Sequence, residues 1–406
     1  MDITQGLDKP TTAKQTNLLS SLIDMACAEN LSVAMWQLPG ETEQHAIVDC
    51  SGQLNKVQPD LENLPEGFIA STFLRENPED FFIRADIHFK SNEQELVERI
   101  LPNQEWKIGQ TRDEFIRKLK SVIVKNTPRY HSHSAAHYSI SDKNHYIKMV
   151  EKSIGEIEAE TFQKVVLSRN KTIELPEGFD IMSCFNRLCK AYPAAFVSLI
   201  SLPGVGTWMG ASPEILINTN EKGIFKTISL AGTQAKSKFD NICDASWTQK
   251  EIEEQAMVSR YVINCFKKIR LREFEEIGPK TVAAGSLLHL RTDYVVDTKA
   301  VNYPQLGSVM LGLLHPTSAI CGMPKETSLD FILEHEDYER SFYSGYLGPV
   351  NVEGKTGIFV NLRCMQLLEK EAVLYAGAGI TQDSVPEKEF METEMKMNIM
   401  FSQLEG

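Results

Sequence analysis

Along this chain, short apolar runs of strand length alternate with longer stretches whose apolar residues recur at helical spacing. Leu18, Leu19, Leu22, Ile23 and Ala26 predict a helix; strand-like runs follow at 31–38, 68–74 and 81–89, and a second helix is predicted over 112–122. Ile147, Val150, Ile154 and Ile157 fall at i, i+3, i+7 and i+10, the period of an amphipathic helix beginning at Ser141 or Asp142. A β-branched run over 162–169 leads to a helix over 181–192 and a strand over 195–202. The run 208–217 carries Glu214 at the head of an apolar strand, just after Ser212 and Pro213, and 228–234 reads as a strand ending in a glycine turn. A long helix covers 248–271. Strands at 281–284 and 289–296, helices at 305–314 and 328–336, and strands at 358–368 and 372–376 complete the run. Gly377 and Gly379 read as turn residues, and a last helix begins at Pro386. Antiparallel-looking strands mixed with helices predict an α+β fold rather than a doubly wound sheet, with no linker or repeat that forces a domain boundary.

Composition narrows the function classes. The 406 residues are 42% hydrophobic and 24% charged, which supplies an ordinary globular core. A formal net charge of −13 argues against nucleic acid and against an anionic membrane surface as partners. No stretch approaches the roughly 18 apolar residues of a membrane span, and the N-terminus lacks a basic region followed by an apolar run, so a cytoplasmic location is expected. The eight cysteines form no C-x-x-C pair and read as reduced, mostly buried thiols. His131, His133, His137 and His145 lie close together without a carboxylate or cysteine in register, and read as a polar connecting loop. Gly354-Lys355-Thr356 fails as a P-loop because Pro349 stands where a glycine is needed, and Gly377-x-Gly379 lacks the third glycine of a dinucleotide fingerprint.

The chemistry concentrates in four places. In a strand, Lys164 shares one face with Val166 and Ser168, while Val165 and Leu167 point the other way, so the lysine's face is a candidate pocket wall. A buried lysine loses solvation and a carboxyl beside an apolar strand, such as Glu214, is pushed toward its neutral form, which makes the two a base and acid candidate; a snorkelling lysine and a turn carboxylate are the plainer alternative. Glu251 and Glu254 repeat the i, i+3 spacing of Glu389 and Glu392, and Lys396 falls on the face of the second pair. Either pair alone is ordinary helix decoration. Two pairs, each following a glycine-ended strand, offer four oxygens to a magnesium ion if they converge, which spacing alone does not determine.

Lys164-Val-Val-Leu-Ser-Arg169, Ser212-Pro-Glu214, Leu230-Ala-Gly-Thr233, Glu251-x-x-Glu254, His315-Pro-Thr317, Tyr343, Arg363, Ala376-Gly-Ala-Gly379 and Glu389-x-x-Glu392-x-x-x-Lys396 occur in this order. Together they resemble the chorismate-utilising enzymes, a family that includes isochorismate, salicylate, anthranilate and aminodeoxychorismate synthases. The resemblance covers residues from about 140 to the C-terminus and implies one large α+β domain over 1–406, with two stacked, mostly antiparallel sheets and a divergent part at 1–140. It implies Lys164 and Glu214 as base and acid, and Gly232, Thr233, His289, Ala319, Tyr343, Arg363, Gly377 and Lys396 at the substrate. It further implies Mg2+ on Glu254 and Glu392, with Glu251 and Glu389 holding metal-bound water. Lys164 resembles the water-adding members, Ala231 stands where aminodeoxychorismate synthases place a lysine, and Ala319 resembles the isochorismate-forming ones. The expected reaction is therefore conversion of chorismate to isochorismate, with further elimination of pyruvate to salicylate as the alternative. No glutaminase subunit and a monomer are expected. Two departures from the family pattern stand out: Gln255 replaces a histidine, and Tyr343-Ser-Gly-Tyr-Leu-Gly348 replaces Tyr-x-Gly-Pro-Val-Gly.

Overall fold

Two antiparallel sheets carry the chain; of the catalytic candidates, Lys164 begins a strand of one sheet and Glu214 lies where the chain passes between the two. The structure, a computed structural model, describes residues 12–74, 79–91, 96–98, 114–115, 117–119, 129–132, 142–284 and 287–404. One sheet has ten strands in the order Gly322–Met323, Lys164–Glu174, Glu371–Ile380, Cys364–Leu367, Gly206–Ser212, Phe196–Leu202, Ser32–Gln37, Gln44–Asp49, Ile87–Lys90 and Leu96–Glu98. The other has nine, Glu275–Ala284, Leu287–Asp297, Ile224–Ala235, Ile215–Thr219, Thr356–Val360, Tyr346–Val350, Gly67–Ser71, Asp80–Arg84 and Asn55–Val57.

Three apolar clusters hold the layers together. The first packs helices Thr12–Ala28, Ile181–Ala191 and Pro386–Phe401 on the ten-stranded sheet, through residues such as Leu22, Phe185, Met397, Leu199 and Met365. A second joins helices Lys143–Glu158, Gln249–Lys268, Leu306–Leu314 and Lys325–His335 to both sheets, through Val165, Phe225, Tyr294 and Ile380. The third lies between the sheets, where Phe196 of one and Phe359 of the other stack with ring centroids 4.0 Å apart. Each such fully buried side chain contributes about 1.5–3 kcal/mol relative to exposure. All eight cysteines are free; Cys243 is exposed, Cys27 half-buried and the other six buried. Among the described residues no helix is long and apolar enough to cross a membrane.

The α+β prediction with two stacked sheets holds, but three apolar runs read as single strands are each divided between the sheets. Residues 81–89 split into Asp80–Arg84 and Ile87–Lys90, 208–217 into Gly206–Ser212 and Ile215–Thr219, and 358–368 into Thr356–Val360 and Cys364–Leu367. The polar residues at the crossings, Asp86, Glu214, Asn361 and Arg363, are buried like the strands on either side, so no exposed turn marks where the chain changes sheet. Two further corrections concern glycines. Gly232 does not end a strand: it sits at φ +70° in an irregularity within Ile224–Ala235, where the register against Leu287–Asp297 shifts. Gly377 and Gly379 are not turn residues but lie inside the strand Glu371–Ile380. The predicted helix over 112–122 is seen as helical at 114–115 and 117–119, its remainder lying outside the described residues. His131 bonds the carbonyl of Leu31 through Nε2 at 3.0 Å and His145 belongs to Lys143–Glu158, while His133 and His137 lie outside the described residues.

Candidate active site

The floor of the site is the strand pair Lys164–Glu174 and Glu371–Ile380. Val166 faces Gly379 and Ser168 faces Gly377 across the ladder, and period two puts Lys164 on that same face with Val165 and Leu167 behind it. Close approach explains the glycines: a Cβ at Gly379 would lie 2.7 Å from Glu254 Oε1 and 2.9 Å from Lys164 Cε, and one at Gly377 would lie 2.8 Å from the Leu167 carbonyl and 2.9 Å from the Tyr343 hydroxyl. Ser168, on the lysine's face, does not reach the cavity; its hydroxyl bonds Glu336 and Tyr338 instead.

Two of the sheet crossings deliver the walls. Glu214 follows Pro213 in the passage from Gly206–Ser212 to Ile215–Thr219, and Arg363, at φ +48°, lies in the passage from Thr356–Val360 to Cys364–Leu367. The passages are tied together, since Val360 N donates to Glu214 O at 3.0 Å and Ala211 N to Arg363 O at 3.0 Å. The structure thus brings Lys164, Glu214, Gly232, Thr233, Glu251, Glu254, His289, Ala319, Tyr343, Arg363, Gly377, Glu392 and Lys396 to one cavity. Glu389 is the one predicted site residue outside it.

The carboxylates are each already engaged. Lys164 Nζ donates to Glu254 Oε1 at 2.7 Å, Lys396 Nζ to Glu392 Oε1 at 2.8 Å and to Gly377 O at 2.8 Å, and Lys250 Nζ to the buried Glu389 Oε1 at 2.6 Å. Glu251 closes a capping box on its own helix, accepting from Thr248 N and from Thr248 Oγ1, both at 2.6 Å. Among the described residues no three His, Cys, Asp or Glu side chains stand together as a metal-holding group. The donor chemistry nevertheless fits magnesium, which keeps several waters and takes only one or two protein carboxylates, here Glu254 and Glu392 on a shared cavity.

Burial sets the electrostatics. It pushes the Glu214 carboxyl up to about 7 against the opposing charges of Lys164, Arg363 and Lys396, so near neutral pH this group exists as acid as well as carboxylate. Burial also works against the charged form of Glu254, but Lys164, Lys396 and Lys250 together outweigh it and hold the carboxyl below its ordinary range. Burial, then the charge of Arg363, drives the His289 imidazole down to about 3. Neutral His289 therefore donates from Nδ1 to Gly232 O at 2.7 Å and accepts at Nε2 from Arg363 Nη2 at 2.7 Å, which fixes the guanidinium at the cavity wall.

Lys250 is the charged lining residue that sequence reasoning did not assign; its i, i+4 spacing to Glu254 was visible, but its bond to Glu389 on another helix was not. Gln255, the departure from the family's histidine, is buried and donates to Ser229 Oγ at 2.9 Å and Thr292 Oγ1 at 3.1 Å, away from the cavity.

A sequence model of the chorismate-binding enzymes matches residues 71–405. The isochorismate synthase EntC of Escherichia coli K12 is 27% identical over 302 residues, covering 73% of this chain and 76% of that protein. The isochorismate synthase DhbC of Bacillus subtilis is 28% identical over 275 residues, covering 64% of this chain and 68% of that protein. The solved structure of the menaquinone-specific isochorismate synthase MenF of Escherichia coli superposes with a TM-score of 0.73 at 19% identity, covering 94% of this chain and 91% of that one, which is a likeness of fold. With a family match spanning most of its length, a two-sheet fold to go with it, and the predicted residues gathered on one cavity, the chain belongs to the chorismate-binding enzyme family.

Proposed function

We propose that the chain is an isochorismate synthase that converts chorismate to isochorismate in a magnesium-dependent reaction. The observation that carries the reading is the pair of buried groups on one cavity: Lys164, 1% exposed, and Glu214, 7% exposed, whose carboxyl is raised to about 7. Lys164 acts as the base and takes a proton from a water whose oxygen bonds to ring C2. The ring double bond shifts, the bond from C4 to its hydroxyl breaks, and Glu214 gives its proton to the departing hydroxyl. One water enters and one leaves, so substrate and product are isomers and no electrons change hands.

Arg363 is suited to grip a substrate carboxylate, because its planar fork is held in place by neutral His289, and the Tyr343 hydroxyl lies beside Gly377 to add a donor. Magnesium would be held by Glu254 and Glu392, with Glu251 and Glu389 behind its waters, and supplies positive charge that offsets the substrate's carboxylate. The relatives' names support the same reading. Incubation with chorismate and Mg2+ followed by chromatographic separation of products tests it: isochorismate as sole product is expected, whereas salicylate with pyruvate points to the lyase alternative and unchanged chorismate refutes the assignment.

A further inference from the structure

Lys250 lies in the first turn of the helix that also carries Glu251 and Glu254, yet its ammonium is spent on Glu389 of the helix Pro386–Phe401, at 2.6 Å. Glu389 is fixed, with a side chain 3% exposed, whereas the Lys250 side chain is 28% exposed on a flexible four-carbon stem. Lys250 also lines the cavity on which Glu254 and Glu392 stand and lies in their field, while its bond is to Glu389. Lys164 and Lys396 hold carboxylates too, but each is confined: Lys164 is fully buried, and Lys396 is tied to the Gly377 carbonyl.

Lys250 alone among the three has a second place to go. With Glu254 it lines both the active-site cavity and a separate cavity on the helix side, whose walls carry Glu160, Glu253 and Asp383. Lys250 is the only basic residue among the described residues lining that outer cavity.

We propose that Lys250 is a place-holding cation, sitting among the site's carboxylates and exchanging to the acidic outer cavity when a divalent cation takes those carboxylates. The exchange limits the charge change at the site: one ammonium leaves as one metal ion arrives, so the buried Glu389 trades the charge of Lys250 for that of the metal, while the partly exposed Glu392 keeps Lys396. The inference rests on the magnesium-dependent reading above, and it makes the metal's affinity a property of a residue that needs no contact with substrate.

The test uses substrate-free protein and Mn2+ as a paramagnetic probe, titrated at pH 8 and read by electron paramagnetic resonance. Lys250→Met removes the competing charge and is expected to tighten Mn2+ binding by about tenfold or more, while Lys250→Arg, which keeps the charge, binds no tighter than wild type. Equal or weaker binding by Lys250→Met with an unchanged near-ultraviolet circular dichroism spectrum overturns the proposal. Wild-type protein tests it independently of how the variant folds. Mn2+ is expected to raise acetic anhydride labelling of Lys250 several-fold in peptide mass spectrometry, and labelling that is unchanged or lowered overturns it. Absence of any Mn2+ binding to wild type refutes the metal reading itself, an outcome distinct from a variant that binds metal no more tightly.

Discussion

Replacing Gly379 by alanine separates the site's geometry from the stability of the fold. The added Cβ would lie 2.7 Å from Glu254 Oε1, 2.9 Å from Lys164 Cε and 3.3 Å from Lys164 Nζ. Restoring ordinary contact, which begins at 3.4 Å, requires the carboxylate to retreat by about 0.7 Å. Every atom that must move is the far end of a flexible side chain, and no backbone atom is among the three nearest. The fold therefore tolerates the change, with a melting temperature within a few degrees of wild type. The proposed chemistry does not: the displaced atoms belong to the 2.7 Å pair of Lys164 and Glu254, the proposed base and a proposed metal carboxylate. A misplacement approaching 1 Å costs on the order of 100-fold, so kcat for isochorismate formation is expected to fall by about 30- to 100-fold. Steady-state kinetics, thermal denaturation and Mn2+ titration of the same preparation decide the matter. Wild-type kcat in a folded Gly379→Ala protein refutes the placement of Lys164 and Glu254 in the reacting centre.

Gly377→Ala meets the Leu167 backbone carbonyl at 2.8 Å, which cannot step aside, so this variant is expected to lose about 1–3 kcal/mol of stability in denaturant titration as well as activity. Lys164→Ala is expected to lower kcat by about 100- to 10,000-fold while leaving the fold intact by circular dichroism; retained turnover excludes it as the base. For Glu214 the folded value of about 7 lies above the ordinary 4.5, so the proton is held more tightly in the folded state. Its contribution to stability is complete below 4.5 and is lost as pH rises to about 7, amounting to roughly 3 kcal/mol over that window. Glu214→Gln, which does not titrate, is therefore expected to gain stability relative to wild type between pH 5 and 8 in urea titrations, and a constant difference contradicts the buried acid. Wild-type kcat/KM is expected to decline above about pH 7 as Glu214 ionises, an alkaline limb governed by this group.

Much of the site was legible because its residues occur in ordered short motifs, and period-two and period-3.6 patterns place them on faces. Lys164 sits on the strand face its neighbours predicted, and the helix carrying Glu251 and Glu254, predicted over 248–271, runs over Gln249–Lys268 with Thr248 as its N-cap. What pattern could not reveal were events between elements. The chain changes sheet at Asp86, at Pro213-Glu214 and at 361–363, where the polar residues Asp86, Glu214, Asn361 and Arg363 are themselves buried, so these interruptions do not read as exposed turns. Gly377 and Gly379 carried the composition of a turn, but their small size serves close packing by Tyr343, Glu254 and Lys164, which come from distant segments. Two of the carboxylate–lysine pairings are also long-range facts: Lys164 and Glu254 are 90 residues apart, and Lys250 and Glu389 are 139 apart, whereas Glu392 and Lys396 form an i, i+4 pair on one helix. The Glu-x-x-Glu spacing left open whether the four glutamates converge, and the structure divides them into two on the cavity bound to lysine, one helix cap and one buried ion pair.

The central claim, that water activated beside Lys164 adds to the ring while the C4 hydroxyl leaves toward Glu214, is tested most directly by running the reaction with Mg2+ in 18O-labelled water and analysing the isochorismate by mass spectrometry. One labelled oxygen per product molecule, located at C2, is the predicted result. Unlabelled isochorismate, or none at all, contradicts it.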